Sequence, residues 1–322
     1  MARIALDAMG GDHAPTETVA GAVDAAERGI DVILVGDRAV LERELSNHAI
    51  GLAIVDAPDV IGMGADPARA LREKPDASIS VAAKLVRDGS ADGFVSAGST
   101  GAAMAAAAIL VGRIKGVSRP AIATVFPTPD SPTIVLDSGA NPDVTPEQLA
   151  QFGIMGAVAA EALLGIETPR VGLLSNGEEK GKGRALERAA YDLLQAGPTD
   201  FVGNVEGRDI ATDRADVIVT DGFTGNVFLK TTEGAARLVA EYFIEALSDL
   251  PEVVREQTLP AIGKVRDRLD YETYGGAQLL GVRSVVVIAH GSSSRVAICN
   301  ALTIAREGAD HDLAGRLADR VS

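Results

Sequence analysis

The sequence predicts an α/β fold on a mostly parallel sheet, and three observations carry that prediction. Apolar runs of strand length alternate with longer stretches of helical period almost throughout, as in successive βαβ units. The runs, such as Val217-Ile218-Val219, are continuously apolar, which suits strands covered on both faces. At least five of them end in a small polar loop containing glycine, at Gly10, Gly98, Gly139, Gly222 and Gly291.

Taken in order, Ile4 to Leu6 is a strand that ends in the loop Asp7 to Pro15, and Thr16 to Arg28 is a helix. Val32 to Val35 and Leu52 to Val55 are strands flanking a helix over Arg38 to Ser46. Helices follow over Pro67–Glu73 and Ser78–Arg87, then a strand from Gly93 to Ser96, the loop Ala97 to Gly101 and an alanine-rich helix. Ile122 to Val125 and Thr133 to Leu136 are strands, the second ending in Asp137-Ser138-Gly139-Ala140-Asn141. A helix from Pro146 to Leu164, a strand from Val171 to Leu174 and a helix from about Arg184 follow, then an extended stretch from Phe201 to Gly203. Helical patterns occupy Leu238–Asp249 and Pro251–Arg268, and Val285 to Ile288 is a strand with a helix after it.

The stretch Ala215 to Glu233 concentrates the pattern. Its apolar strand runs into a polar turn from Thr220 to Asn226 and then a long helix, with Ala235, Leu238, Val239, Tyr242, Phe243, Ala246 and Leu247 on one face. Ligands of open α/β sheets sit where strands end and helices begin, because free N–H groups and the helix dipole favour an anion there. Five such loops at one sheet edge would make a site for an anion or a polarised carbonyl, although α/β folds also use these turns for geometry alone.

Composition limits the function classes. The chain has 322 residues, is 47% hydrophobic and has a mean hydropathy of +0.16, so it is globular and can bury a core. No fixed-period repeat or flexible linker divides it, and we expect one α/β catalytic unit over 1–322 with a helical hairpin excursion at about 235–270. A net charge of −15 argues against a nucleic-acid partner. The lone Cys299 excludes an internal disulfide and suits the cytosol. The first residues lack the features of a signal peptide, and no apolar run reaches the ~18 residues of a membrane span.

Standard motifs are mostly missing. Gly62-Met63-Gly64 and Gly181-Lys182-Gly183 lack the third glycine of a dinucleotide fingerprint, and Gly177 to Lys182 is one residue short of a phosphate-binding P-loop. No nucleophile elbow or zinc motif occurs. Asp7, Asp12, Asp137 and Asp221 are of a type that binds divalent cations, but carboxylates at strand ends more often cap turns. His13 and His290 both lie in glycine loops.

Seven strings bring these features together: DAMGGDHAP (7–15), SAGSTGA (96–102), LDSGAN (136–141), NGEEKGKG (176–183), GNVEGRD (203–209), TDGFTGNVFLKTTEG (220–234) and YGGAQLLGV (274–282). In this order they resemble the bacterial acyl-ACP:phosphate acyltransferase family of phospholipid synthesis, PlsX, over nearly the whole chain. One departure is Ser175, where the family commonly carries Asn. The resemblance implies a three-layer α/β/α fold similar to isocitrate and isopropylmalate dehydrogenases. It implies a reaction in which inorganic phosphate attacks the thioester of a long-chain acyl carrier protein and yields an acyl phosphate. It further implies a homodimer without an organic cofactor or metal, feeding a membrane glycerol-3-phosphate acyltransferase from the cytoplasmic face. Its motifs carry a catalytic role onto Lys182 and Asn226. His13, Ser99, Thr100, Asn141, Thr224 and Gly225 are substrate-binding candidates by their loops alone.

Two other classes fit parts of the pattern. A β-decarboxylating dehydrogenase would bind NAD, and a non-catalytic phosphate- or acyl-binding protein would turn nothing over. The stretch Leu247 to Arg268 adds an expectation of contact with a membrane surface, the carrier protein or a dimer partner. There Leu250, Val253, Val254 and Leu259 lie beside Arg255, Lys264, Arg266 and Arg268, around bends at Pro251 and Pro260.

Overall fold

A computed structural model describes residues 2–128, 131–248, 251–258, 263 and 275–321. Its strands are β1 (Arg3–Asp7), β2 (Asp31–Gly36), β3 (Ala53–Asp56), β4 (Gly93–Ser96), β5 (Ala121–Phe126) and β6 (Thr133–Leu136), then β7 (Arg170–Leu174), β8 (Asp200–Val205), β9 (Val217–Val219), β10 (Ala277–Leu280) and β11 (Val285–Ile288). They form one sheet in the order β3-β2-β1-β4-β11-β10-β5-β6-β9-β7-β8. The helices are α1 (Thr16–Glu27), α2 (Arg38–Leu45), α3 (Pro67–Glu73), α4 (Ser78–Arg87), α5 (Thr100–Ala106), α6 (Pro146–Ala159), α7 (Ala185–Ala196), α8 (Gly222–Ser248), α9 (Arg295–Asp310) and α10 (Leu313–Val321). Both α5 and α6 widen into a π turn at their ends, over Ala107–Gly112 and Ala160–Leu164.

The sheet is mostly parallel, as expected, but its middle is not. β10 runs antiparallel to both β11 and β5, and β5 antiparallel to β6. These three reversals turn the half β6-β9-β7-β8 against the half β3-β2-β1-β4-β11. The expectation that all five glycine loops leave one sheet edge is therefore corrected. The loops after β1, β4 and β11 leave one edge, and those after β6 and β9 leave the other. Two short strands lie between the halves, β10 of four residues and β5 of six, about 13 and about 20 Å at strand rise, so loops from opposite edges can reach across one face.

Helices cover both sides of the first half. Ile4, Leu6 and Val287 pack against Ile298 and Leu302 of α9, while Ala5 and Phe94 pack toward α4 and α5. α1 approaches α9 so closely that a Cβ at Gly21 would lie 2.6 Å from the Cβ of Ile298. In the second half α6 carries Phe152 and Met155 onto Leu136, Leu173 and Val219. α6 starts where it does because Thr145 and Gln148 cap it reciprocally and Pro146 opens its first turn. The opposite face has only a small cluster, in which Val135, Val205 and Ile218 meet Phe228 and Leu229 of α8.

Two expectations about α8 change. The predicted turn from Thr220 to Asn226 shrinks to two residues, because Asp221 caps the helix and lets it begin at Gly222. The helix then continues without a break through Leu238. Its apolar residues do not face the core of this chain: Leu238, Val239, Tyr242 and Phe243 are 47–62% exposed. Beyond it, residues 252–258 are helical, with Val253 and Val254 exposed. Leu250, Leu259, Lys264, Arg266 and Arg268, on which the expected membrane tip depends, lie outside the described residues.

Candidate active site

Three carboxylates at strand ends set the loops around one cavity. The first, Asp7, is buried; burial pushes its carboxyl up, opposed by hydrogen bonds from Ser78 and Ser96. Ser96 Oγ donates to Asp7 at 2.7 Å and accepts from the Gly98 N–H at 3.1 Å. The Asp12 N–H donates to the Gly291 carbonyl at 2.7 Å, so the loops after β1, β4 and β11 interlock.

The second, Asp137, is wholly buried and gathers its own loop. Its Oδ1 accepts from the N–H groups of Ile122, Gly139 and Ala140, and its Oδ2 from the backbone and side-chain amides of Asn141 at 2.7 and 2.8 Å. Burial raises this carboxyl and the donors pull against it. The third, Asp221, caps α8. Burial alone would raise it, but the Thr224 N–H, the Arg184 guanidinium and the Thr224 hydroxyl hold it below the usual carboxylate value. Arg184 also pairs with the buried Glu187. Asp7, Asp137 and Asp221 thus act as turn and helix caps, while Asp12 is exposed and lines the cavity.

Between these loops lies a cavity of about 710 Å³. One part of its wall is polar, with Gly98, Thr100, Ser138, Gly139, Asn226 and His290. Another part is apolar, with Ile122, Val125, Phe126, Pro127 and Leu229. α8 begins close against the Asp137 loop: a Cβ at Gly225 would lie 1.9 Å from the Asp137 carbonyl oxygen, so no larger residue fits. That approach sets Asn226 beside Gly139 at the cavity wall.

The residues singled out from the sequence fall into three groups. Thr100 and Asn226 line the cavity, as does His290. Ser99, Asn141, Thr224 and Gly225 shape its walls from behind. Ser99 caps α5, Asn141 spends its side-chain amide on Asp137 and the Pro120 carbonyl, and Thr224 binds Asp221. Lys182 and His13 are exposed and do not line the cavity. Lys182 sits on the loop after β7, where its stem packs over Gly177, and Arg184 ties that loop to Asp221. Lys230 and Glu233, also in the cavity wall, escaped the sequence reading because lysine and glutamate inside a helix read as a solvated face. Their spacing from Asn226, four and seven residues, was the available signal.

Comparisons with known proteins agree with the resemblance. Residues 2–316 match the family described as "Fatty acid synthesis protein". The chain is 48% identical over 317 residues to the phosphate acyltransferase of Desulforamulus reducens, covering 97% of this chain and 95% of that one. It is 51% identical over 316 residues to the phosphate acyltransferase of Pelotomaculum thermopropionicum, covering 97% and 92%. Among solved structures, the EutD phosphotransacetylase of Staphylococcus aureus shares the fold with a TM-score of 0.60 at 18% identity, over 96% of this chain and 94% of that chain. A 4-hydroxythreonine-4-phosphate dehydrogenase of Klebsiella pneumoniae does so with a TM-score of 0.56 at 15% identity, over 96% and 100%. The protein is an acyltransferase on a phosphotransacylase- and dehydrogenase-like α/β fold. It belongs to the fatty acid synthesis protein family.

Proposed function

We propose that the chain transfers a long-chain acyl group from the thioester of an acyl carrier protein to inorganic phosphate. A phosphate oxygen adds to the thioester carbonyl, the carbon–sulfur bond breaks, and the thiolate takes up the proton that phosphate loses. The products are an acyl phosphate and the free carrier thiol. The observation that carries this reading is one cavity with both a glycine-loop wall suited to an anion and an apolar wall suited to an alkyl chain. Phosphate is nucleophilic near neutral pH, so the site has to orient it, stabilise the developing oxyanion and keep water from the product. Asn226 is the oxyanion donor in this reading, and Lys182 the cation that neutralises phosphate or oxyanion in the transition state.

The product feeds a membrane glycerol-3-phosphate acyltransferase, and the enzyme works in the cytoplasm at the membrane surface as a homodimer. The exposed apolar face of α8 supports a second subunit there, and exposed Val253 and Val254 beside Arg255 support membrane contact. The test is incubation with acyl carrier protein thioester and phosphate, with hydroxylamine trapping of the product. Acyl hydroxamate that depends on phosphate and survives EDTA is expected. Thioester loss independent of phosphate, or abolished by EDTA, overturns the reading.

A further inference from the structure

We propose that Lys230, with Glu233 as its resting counter-ion, holds the inorganic phosphate substrate in the cavity; this rests on the acyl phosphate reading above. Lys230 stands one helical turn beyond Asn226 on α8, so the two side chains emerge on the same face. Both line the cavity, and so does Glu233, whose Oε2 lies 2.9 Å from Lys230 Nζ. Among the described residues, Lys230 is the one lining side chain with a permanent positive charge, while Asp12 and Glu233 supply negative charge. Without Lys230 the fixed charge of the wall would repel the anion that the glycine loops are shaped to receive. Pairing with Glu233 keeps the ammonium at the wall until phosphate arrives. Both lysines are exposed, with 49% of the Lys230 side chain open to solvent, but only Lys230 lies in the wall and Lys182 is outside it. The two lysines therefore divide the work: Lys230 sets phosphate affinity and Lys182 acts on turnover.

The competing account is an ordinary helix-surface ion pair of little consequence. Lys230→Met and Lys230→Arg separate the two. With Lys230→Met, the KM for phosphate should rise roughly 10- to 100-fold, the loss typical of a hydrogen bond to a charged group. The KM for the acyl thioester and kcat at saturating phosphate should stay near wild type, and Lys230→Arg should recover most of the affinity. Calorimetric titration with inorganic phosphate alone gives a readout without turnover: binding should weaken in Lys230→Met and persist in Lys182→Ala. Unchanged phosphate affinity in a folded Lys230→Met protein overturns the proposal. Should Lys230→Met fail to fold, Lys230→Gln takes its place under the same criteria. A wild type that binds phosphate through Lys230 but makes no acyl phosphate would overturn the acyl-transfer reading and leave this one standing.

Discussion

The loops after β6 and β7 leave the same edge of the sheet with only β9 between their strands, yet they are built in opposite ways. The loop Asp137 to Asn141 is wrapped around one buried carboxylate that accepts five hydrogen bonds, and its Gly139 is part of the cavity wall. The loop from Asn176 to Gly183 is largely exposed and tied by scattered single contacts: Gly183 N–H to Asn176, Asn204 to the Glu179 carbonyl, Glu178 to Arg208 and Arg214, Lys180 to Asp192, and Arg184 to Asp221. The difference separates two kinds of polar residue that look alike in a sequence. Asn141 is spent on holding shape, whereas Lys182 has a charge not committed to the wall.

The comparison is broken most severely at Asp137. Asp137→Ala would leave five buried or half-buried donors without their acceptor, at about 1–3 kcal/mol for each left unsatisfied. That is on the order of the whole stability of a domain, about 5–15 kcal/mol. Urea unfolding should show a protein that is unfolded or barely stable; a midpoint near wild type would mean the loop does not depend on this carboxylate.

Changes at the chemical groups come next. Asn226→Ala and Lys182→Ala should each remove turnover by roughly a hundred- to a thousandfold, as for loss of one oxyanion donor, with little change in the melting curve. Near-normal turnover in either variant, with that melting curve, takes the residue out of the mechanism.

Arg184→Ala sharpens the comparison, because it loosens the Lys182 loop without touching the Asp137 loop. We expect turnover to fall by about tenfold to a hundredfold through misplacement. Stability should fall as well, but less than in Asp137→Ala: the Arg184 side chain is 59% exposed, while its partners Glu187 and Asp221 are buried and lose their cation. The pH dependence has a definite sign. Asp221 is held below its ordinary value of 3.8, so its share of stability is present above that value and lost as pH falls below it. Urea midpoints between about pH 5 and about pH 2 should drop less steeply in the variant than in wild type. Parallel curves would assign the acid loss to other carboxylates.

Much of the fold was legible because its strands are continuous apolar runs with clear ends. β4, β6, β9 and β11 fall where the sequence placed them. β10 was not assigned as a strand, since Ala277-Gln278-Leu279-Leu280 has neither a β-branched residue nor a distinctive period. Missing that strand also hid the reversal of the sheet, and with it the route by which the loops meet. In the site, glycine spacing marked the right loops, but burial decides which polar side chains reach the cavity, and burial is a property of packing. Asn141 and Thr224 satisfy buried carboxylates instead, and Lys230 reaches the wall from within a helix, where the sequence offered only charge and spacing.

The position of β10 and β11 has a consequence for how the chain is made. They are the last strands in sequence, but they fill the gap between β4 and β5. On the ribosome, everything through β9 emerges while one side of β4 and one side of β5 have no partner, and neither half can align with the other. The nascent chain therefore carries two open strand edges, the kind of surface on which unfinished chains associate, until residues 277–288 arrive. The cavity, walled by residues from both ends of the sequence, cannot exist before then, so no truncated translation product can carry a working site.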